Sequence, residues 1–266
     1  MFAERALRHS VFATLLIVAL PLPAAGQAAA QPPAQPPPPP PRHEGTAEVA
    51  YVGTSGNSET STFSLGGEYL FRPAQWTIRN RARMIRTETE ARTETGTENE
   101  LAADSLLYAF RADRTITTRA SVYGDYGYFH DRPAGVDHRH GITGGLTVKV
   151  LESERQSLQA EGGGGYLNER RLTGDDVSSA VYSAGTTYKL KISATSDLTD
   201  EIRFLGTFDN GDDWRFAHGI SLTVAINTVF SLKASNLLRY ANFPPPGFEK
   251  TDSTTAIALV ASFKRQ

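Results

Sequence analysis

The sequence lacks several features that would place it in a common class of protein. None of its 266 residues is cysteine, which excludes disulfides, thiolate chemistry and cysteine-ligated zinc. The 27 Lys and Arg residues nearly balance 29 Asp and Glu residues, so a general affinity for nucleic acid is not expected. After residue 30, no run is apolar for the ~20 residues that a membrane-spanning helix needs. We therefore expect the mature chain not to be a helical membrane protein.

Proline is scarce in the long middle of the chain, although it crowds the start. Ten of the 15 prolines precede residue 44, and the other five fall in turn-like segments at Pro73, Pro133 and 244–246. Proline cannot donate to the ladder of a sheet, so its exclusion from long segments favours β-structure.

The first 43 residues have the composition of a targeting segment and a linker. Arg5 and Arg8 precede the apolar run 11–20, which is too short to span a bilayer and is followed by small residues. The proline-rich run that comes next predicts an extended spacer, although it also fits a ligand of a proline-binding groove. We therefore expect a signal peptide at 1–26, a periplasmic linker at 27–43 and a folded domain at 44–266.

From residue 44 to 264 the sequence alternates with a period of two, as strands do. Short breaks alternate with breaks that are mostly longer, as in up-and-down strands with tight turns at one rim and loops at the other. The expected strands are 46–54, 60–71, 76–89, 98–111, 114–130, 137–151, 156–170, 177–193, 198–209, 213–226, 229–243 and 251–263.

Each expected strand has an apolar face and a polar face. In the strand at 213–226, Trp214 and Leu222 share one face, whereas Arg215 and Thr223 share the other. A soluble sandwich also alternates, but most of these segments are far longer than the ~5–6 residues of soluble strands. An even number of long strands predicts an all-β fold, a closed up-and-down antiparallel transmembrane β-barrel of about 12 strands.

Aromatic residues lie on the apolar faces near both ends of these segments. Two aromatic belts around an aliphatic band are typical of a lipid interface. The expected belts contain Phe71, Trp76, Tyr126, Tyr128, Tyr166, Trp214, Phe216, Phe230, Tyr240 and Phe263. We therefore expect a protein of the outer membrane of a Gram-negative bacterium. Its expected partners are the lipid bilayer and the barrel-assembly machinery, with no nucleic acid, and no oligomeric state is predicted.

Three stretches, taken in order, resemble a known family. They are 51–66, 125–166 with its Asp-Arg, Gly-x-Asp-x-Arg and glycine-rich sequence, and 244–263 with its Pro-Pro-Gly and Lys-Thr-Asp elements. Over about residues 44–263 the chain resembles the YdiY-like family of salt-induced outer-membrane proteins, also called domain of unknown function 481. The resemblance implies an outer-membrane barrel and transfers no catalytic residue.

If the apolar faces point outward, the polar faces line a lumen. The expected register places Glu68 opposite Arg79 and Arg83 opposite Asp104, and such pairs stabilise neighbouring strands. The expected lumen-lining residues are Glu68, Arg79, Arg81, Arg83, Glu100, Asp104, Arg119, Asp125, Arg139, Lys149, Glu161, Lys189, Glu201, Arg203, Arg215, Lys233 and Arg239. Because cationic members outnumber anionic ones, a conducting barrel is expected to prefer anions mildly.

Three weaker residue patterns bear on catalysis or metal binding. His218 and Asn236 both fall on outward faces, as in outer-membrane lipases, but no serine neighbours His218 on that face to act as a nucleophile. His138 and His140 share a strand face without an evident third metal ligand. The acidic run 209–213 lacks the full spacing of a calcium loop. The sequence therefore predicts no catalytic residue, no metal site and no cofactor.

Two functions remain open at this point. The first is a narrow, porin-like pore or an envelope protein that responds to salt or osmotic stress. The alternative is a non-conducting barrel that acts structurally or binds surface ligands, and an outer-membrane lipase is a remote third possibility. The barrel diameter does not decide between them, because 12 strands fall between small filled barrels and wide porins.

Overall fold

A computed structural model describes residues 40–54, 59–93 and 96–265, and it gives no account of the side chains at 52–61 and 88–103. The expected signal peptide and most of the expected linker lie outside the described residues. Within them, no helix is long and apolar enough to cross a membrane.

The described residues form a closed barrel of twelve antiparallel strands, which confirms the expected fold class. Each strand pairs with its neighbours in sequence, and the last strand pairs with the first. A short 3-10 helix, Arg132–Ala134, lies in one of the connections between strands. The strands are β1 His43–Thr54, β2 Glu59–Phe71, β3 Trp76–Thr93, β4 Gly96–Thr115, β5 Ala120–Asp131, β6 Val136–Glu152, β7 Gln156–Arg171, β8 Val177–Lys191, β9 Ser196–Thr207, β10 Trp214–Ala225, β11 Phe230–Ala241 and β12 Thr251–Arg265.

The two rims of the barrel differ in their connections. The first residue of β1, His43, pairs with Arg265 near the end of the chain, so both lie at one rim. The same rim holds the turns after β2, β4, β6, β8 and β10 and is called the turn end below. The opposite rim, called the loop end, holds the other connections.

The boundary between the first and last strands is paired over a short distance. The β1–β12 ladder runs only from His43–Arg265 to Val49–Leu259, whereas β1 pairs with β2 along its whole length. Among the described residues, the loop-end half of β1 therefore has no ladder partner on β12.

The turn between β4 and β5 lies closer to the turn end than the expected break at 112–114. Strand β4 continues to Thr115, and the chain reverses over residues 116–119. The Thr117 hydroxyl accepts hydrogen bonds from the amides of Arg119 (3.2 Å) and Ala120 (2.9 Å), which closes this turn. Arg119 is thus an exposed turn residue, and its expected place in the lumen is wrong.

The β2–β3 hairpin pairs Glu68 with Arg81 and not with Arg79 as expected. The expected register assumed that the strands pair from the first residue after the turn. Instead the Trp76 amide donates to the Pro73 carbonyl oxygen (2.9 Å) and closes the turn itself. The ladder between these two strands therefore starts two residues later.

The β3–β4 hairpin also departs from the expected register, because Arg83 faces Leu107 and not Asp104. A β-bulge after Thr87 shifts the ladder, and the hairpin turns beyond the expected centre at residue 93. Neither the bulge nor the position of the turn is marked by a distinctive residue pattern.

Asp104 lies on the outer face of the barrel, so its expected place in the lumen is wrong. It faces Arg86 across the ladder and shares its side of β4 with the exposed Leu106 and Tyr108. Its carboxylate lies 3.8 Å from the His130 imidazole, near the loop end.

Large hydrophobic side chains are exposed around the outside of the barrel. This arrangement is the reverse of a soluble protein and matches a wall that lipid surrounds. The exposed aliphatic side chains include Leu65, Met84, Leu106, Val122, Leu146, Val148, Ile202, Ile220, Leu222, Leu232, Ile257 and Leu259.

Candidate functional site

Charged side chains fill the inside of the barrel in two groups. The turn-half network comprises Glu48, Glu68, Arg79, Arg81, Arg83, Arg111, Asp113, Asp125, Glu161, Glu201, Arg203 and Lys233. The loop-end cluster comprises Asp131, Arg139, Glu169, Arg171, Asp213, Arg215 and Arg239.

Three arginines at alternate positions of β3 organise the turn-half network. The Arg81 guanidinium lies 2.7 Å from the Glu68 carboxylate, and Arg79 lies 3.9 Å from the same group. Arg83 lies 3.8 Å from Glu48 of β1. The side chains of these three arginines remain about one third exposed, at 34–36%. These arginines therefore border open space inside the barrel.

One contact of this network crosses the lumen. Arg81 lies 3.8 Å from Glu201 of β9, and β3 and β9 stand on opposite walls in the strand order. Lys233 of β11 also reaches Glu48 of β1, at 2.6 Å. The lumen is therefore narrow at this level, because side chains from facing walls touch.

Arg111 is a second centre of the turn-half network, and its side chain is only 9% exposed. It donates hydrogen bonds to Asp113 (2.9 Å) and to the Thr147 hydroxyl (2.9 Å), and it forms an ion pair with Glu161 of β7 (2.8 Å). Its guanidinium also lies over the ring of Tyr123, 4.0 Å from the centroid. This side of the lumen is therefore packed with satisfied polar groups.

Glu169 is the centre of the loop-end cluster. Its carboxylate accepts hydrogen bonds from Arg139, from Arg171 (2.7 Å) and from Arg215 (3.3 Å), and it is 1% exposed. Asp213 lies 3.4 Å from Arg215 and 3.7 Å from Arg171. One buried carboxylate thus holds arginines from three strands together.

Phe129 joins this cluster to the opposite wall. The guanidinium groups of Arg139 and Arg239 each lie 5.1 Å from the centroid of its ring. Arg239 of β11 also lies 3.3 Å from Asp131 of β5. Both types of contact are stronger in a partly desolvated setting than in water.

The connection between β11 and β12 folds over the mouth of the barrel, and we call residues 242–250 the strap. The Arg171 guanidinium donates to the Phe243 carbonyl oxygen (3.3 Å), and the Thr173 hydroxyl donates to the Pro246 carbonyl oxygen (2.7 Å). Arg171 and Thr173 belong to β7 and the loop after it, which lie across the mouth from β11 and β12. The strap is therefore joined covalently to β11 and β12 and attached by hydrogen bonds to the far rim.

Two glycines form the seat of the strap. Gly135 and Gly174 have φ angles of 78° and 77°, which L-residues with side chains rarely adopt. A methyl group at Gly135 would lie 2.6 Å from the Phe248 ring, and one at Gly174 would lie 2.8 Å from Pro246. Both positions thus require glycine for backbone conformation and for space.

Most of the residues expected in the lumen take part in these two groups. Lys149 lies at the turn-end rim with Glu152 (3.0 Å), and Lys189 is exposed. The side chain of Glu100 lies outside those that the structure describes. The residues brought together in the two groups are Glu68, Arg79, Arg81, Arg83, Asp125, Arg139, Glu161, Glu201, Arg203, Arg215, Lys233 and Arg239.

Several central members of these groups were not expected from the sequence. Glu169 and Arg171 continue the alternation of Glu161 along β7, so the pattern contained the signal but lay close to the expected strand end. Asp113 falls in the expected break at 112–114, and Arg111 lies at the end of the expected strand 98–111, on the face opposite to Glu100 and Asp104. Asp213 belongs to an acidic run that was considered only for calcium. Within the described residues, no group of three His, Cys, Asp or Glu residues could hold a metal ion.

The outer face carries His218 and Asn236, the two residues of the lipase pattern for which the sequence offers no nucleophile. His218 is hydrogen-bonded to Asp200 (2.8 Å), and Asn236 donates to Ser253 (3.2 Å). The register places Leu238 between His218 and Ser253, so two strand spacings of ~4.8 Å separate imidazole and hydroxyl. That separation exceeds hydrogen-bond reach, and we do not propose acyl transfer here.

Near the loop end, a second outer group contains histidine and tyrosine. The Tyr126 hydroxyl is hydrogen-bonded to His140 Nδ1 (2.8 Å), and the rings of His138 and His140 meet edge to face at 5.6 Å. Tyr128 lies against the same His140 ring at 5.2 Å. These contacts place aromatic rings and a hydroxyl group next to the imidazoles, at the level of an expected aromatic belt.

A closed barrel with an even number of strands, an apolar exterior and a charged interior has the architecture of outer-membrane β-barrel proteins. Within that class, the chain belongs to the family described as "Protein of unknown function, DUF481", whose family model matches residues 47–263.

Solved structures of several barrels are similar to this chain. The NanC porin is 7% identical, with a TM-score of 0.47, and the similarity covers 84% of this chain and 99% of that chain. The translocator domain of the autotransporter NalP from Neisseria meningitidis is 13% identical, with a TM-score of 0.44 and coverage of 84% and 87%. The KdgM porin is 6% identical, with a TM-score of 0.39 and coverage of 84% and 99%. No curated protein matches the sequence.

Proposed function

We propose that this protein is a narrow pore of the outer membrane that passes small ions and prefers anions. The observation that supports the proposal is the row of Arg79, Arg81 and Arg83. These arginines face the inside of a closed barrel and stay about one third exposed, and Arg81 approaches Glu201 of the facing wall. Positive charge in a narrow aqueous passage attracts anions and repels cations.

A role under salt or osmotic stress is the finer part of this proposal. The pair between Arg81 and Glu201 spans the lumen at 3.8 Å with both side chains about one third exposed. Salt screens such pairs, because the Debye length falls from ~8 Å at 0.15 M to ~3 Å at 1 M. High ionic strength is therefore expected to loosen this contact across the lumen.

Single-channel current across a planar bilayer tests the pore. The protein is extracted in detergent, its folding is checked by heat-modifiable gel mobility, and a salt gradient gives the reversal potential. We expect discrete current steps with an anion-selective reversal potential. Replacing Arg79, Arg81 and Arg83 together by Gln is expected to move the reversal potential toward cation selectivity, because the fixed positive charge is removed.

Arg119→Gln is the matched control, since Arg119 is an exposed residue of the β4–β5 turn. It is expected to leave the reversal potential unchanged. A clear preference of the parent protein for cations, or an unchanged potential in the triple variant, would contradict the proposal.

A barrel whose lumen does not conduct is the second candidate, and a specific observation favours it. Contacts join facing walls at two levels, through Arg81 with Glu201 and through Arg239 with Asp131, and the strap covers the mouth. A folded barrel that gives no current would favour this candidate. Its function would then be structural or would involve ligands bound at the loop end.

A further inference from the structure

A cavity of about 220 Å³ lies beneath the strap, at the loop end of the lumen. The strap contributes Phe243 and Pro244 to its lining, and the barrel wall contributes Phe129, Arg139 and Arg239. The cavity is therefore bounded by the loop-end cluster on its sides and by the strap above.

The charged groups around this cavity favour an anion. In the loop-end cluster, four arginines share three carboxylates. A fifth lining arginine, Arg203, has its carboxylate partner in Glu161, which lies outside the cavity. Glu249 and Asp252 also line the cavity; both are exposed to solvent, and Asp252 faces Arg239 across the β11–β12 ladder. The lining itself thus holds five arginines and three carboxylates, and this excess of positive charge suits a small anion.

The uncharged part of the lining favours an organic ligand. Besides Phe129, it includes Val136, Leu167 and Leu205 of the barrel and Pro245 of the strap. Apolar walls give no advantage to an inorganic ion, but they bury the hydrocarbon part of a small carboxylate. A dry cavity of ~150 Å³ in another protein holds benzene, so about 220 Å³ accommodates one ring with a carboxylate.

We infer that this cavity is a binding site for a small organic monocarboxylate with an apolar body. Arg139 and Arg239, whose guanidinium groups each lie 5.1 Å from the Phe129 ring centroid, hold the carboxylate, because the planar guanidinium donates two parallel hydrogen bonds to such a group. The apolar body packs against Phe129, Leu167 and the strap. Binding at this site does not require ion conduction, so the test of the pore and the test of the site can fail independently.

Isothermal titration calorimetry of the detergent-solubilised protein with benzoate tests the site. We expect saturable binding of one benzoate per chain, and no binding of benzamide, which has the same shape without the charge. Arg239→Gln removes one of the two guanidinium groups and is expected to weaken benzoate binding at least about ten-fold. Arg119→Gln, at the other rim, is the matched control and is expected to bind benzoate like the parent.

A second variant keeps the test decisive if Arg239→Gln does not fold. Ala217 lines the cavity, so Ala217→Leu fills part of it and leaves every charge in place. This variant is expected to lose benzoate binding while its heat-modifiable gel mobility stays that of the parent. Equal binding of benzoate and benzamide would overturn the inference, as would undiminished benzoate binding by folded Ala217→Leu. Benzoate binding by a barrel without current would support the site and reject only the pore.

Discussion

The two halves of the lumen use the same kinds of side chain under different conditions. In the turn-half network, Glu68 and Arg81 lie 2.7 Å apart with side chains 24% and 36% exposed. In the loop-end cluster, Glu169 and Arg171 also lie 2.7 Å apart, but their side chains are 1% and 3% exposed. Ion pairs of equal length therefore differ mainly in their access to water. At these two pairs the turn half is therefore partly exposed and adjustable, whereas the loop end is buried and fixes the strap.

The largest effect on stability is expected when the charge of Glu169 is removed. Glu169→Gln leaves the guanidinium groups of Arg139, Arg171 and Arg215 around a neutral amide, and those of Arg171 and Arg215 have little access to solvent. Breaking a buried pair on one side costs about 3–5 kcal/mol, so we expect a loss of that size in the free energy of unfolding. Urea unfolding in detergent, followed by tryptophan fluorescence, measures it.

Glu201→Gln is the matched control, because it makes the same chemical change in the turn-half network. We expect its free energy of unfolding to fall by less than about 1 kcal/mol. Equal losses in the two variants would show that burial does not distinguish the two halves.

A smaller effect is expected from the seat of the strap. Gly135→Ala adds a methyl group 2.6 Å from the Phe248 ring at a residue with φ of 78°. The left-handed conformation alone costs a residue with a side chain about 1–2 kcal/mol, so the strap should detach more often. Faster hydrogen exchange of the Phe248 amide measures this detachment.

Gly211 provides the control for that experiment, since it also lies in a loop but has open space around it. Gly211→Ala is expected to leave exchange at Phe248 unchanged. If Gly135→Ala also leaves it unchanged, the strap does not depend on this seat.

The smallest expected effect concerns salt. A double-mutant cycle on Arg81 and Glu201 is expected to give a coupling energy of about 0.2–1 kcal/mol at low salt and none near 1 M. The same cycle on Arg215 and Glu169 should keep most of its coupling, because those side chains are shielded from solvent. If salt lowers the coupling energies of both pairs equally, the two pairs do not differ in their access to salt.

Alternation alone was enough to predict the strands and the faces of most residues. Twelve antiparallel strands in a closed barrel follow from a period of two and from breaks of two kinds. The same alternation includes Glu169 inside the expected strand 156–170 and Arg171 one residue beyond its end. Faces were thus predictable wherever a strand was recognised along its full length.

Registers and long-range groups could not be predicted in the same way. The bulge after Thr87 and the turn closed by the Thr117 hydroxyl each move a ladder by a few residues. Those shifts took Asp104 to the outside and Arg119 to the rim. The strap was also missed, because its contacts with Gly135 and Gly174 join segments that are remote in sequence. Such contacts depend on closure of the whole barrel.

The short ladder between β1 and β12 determines where this cylinder can come apart. Opening the wall at any other boundary breaks a longer series of backbone hydrogen bonds than the one that ends at Val49 and Leu259. The first and last strands are therefore the natural place for closure to be completed last during insertion and for rupture to begin under force.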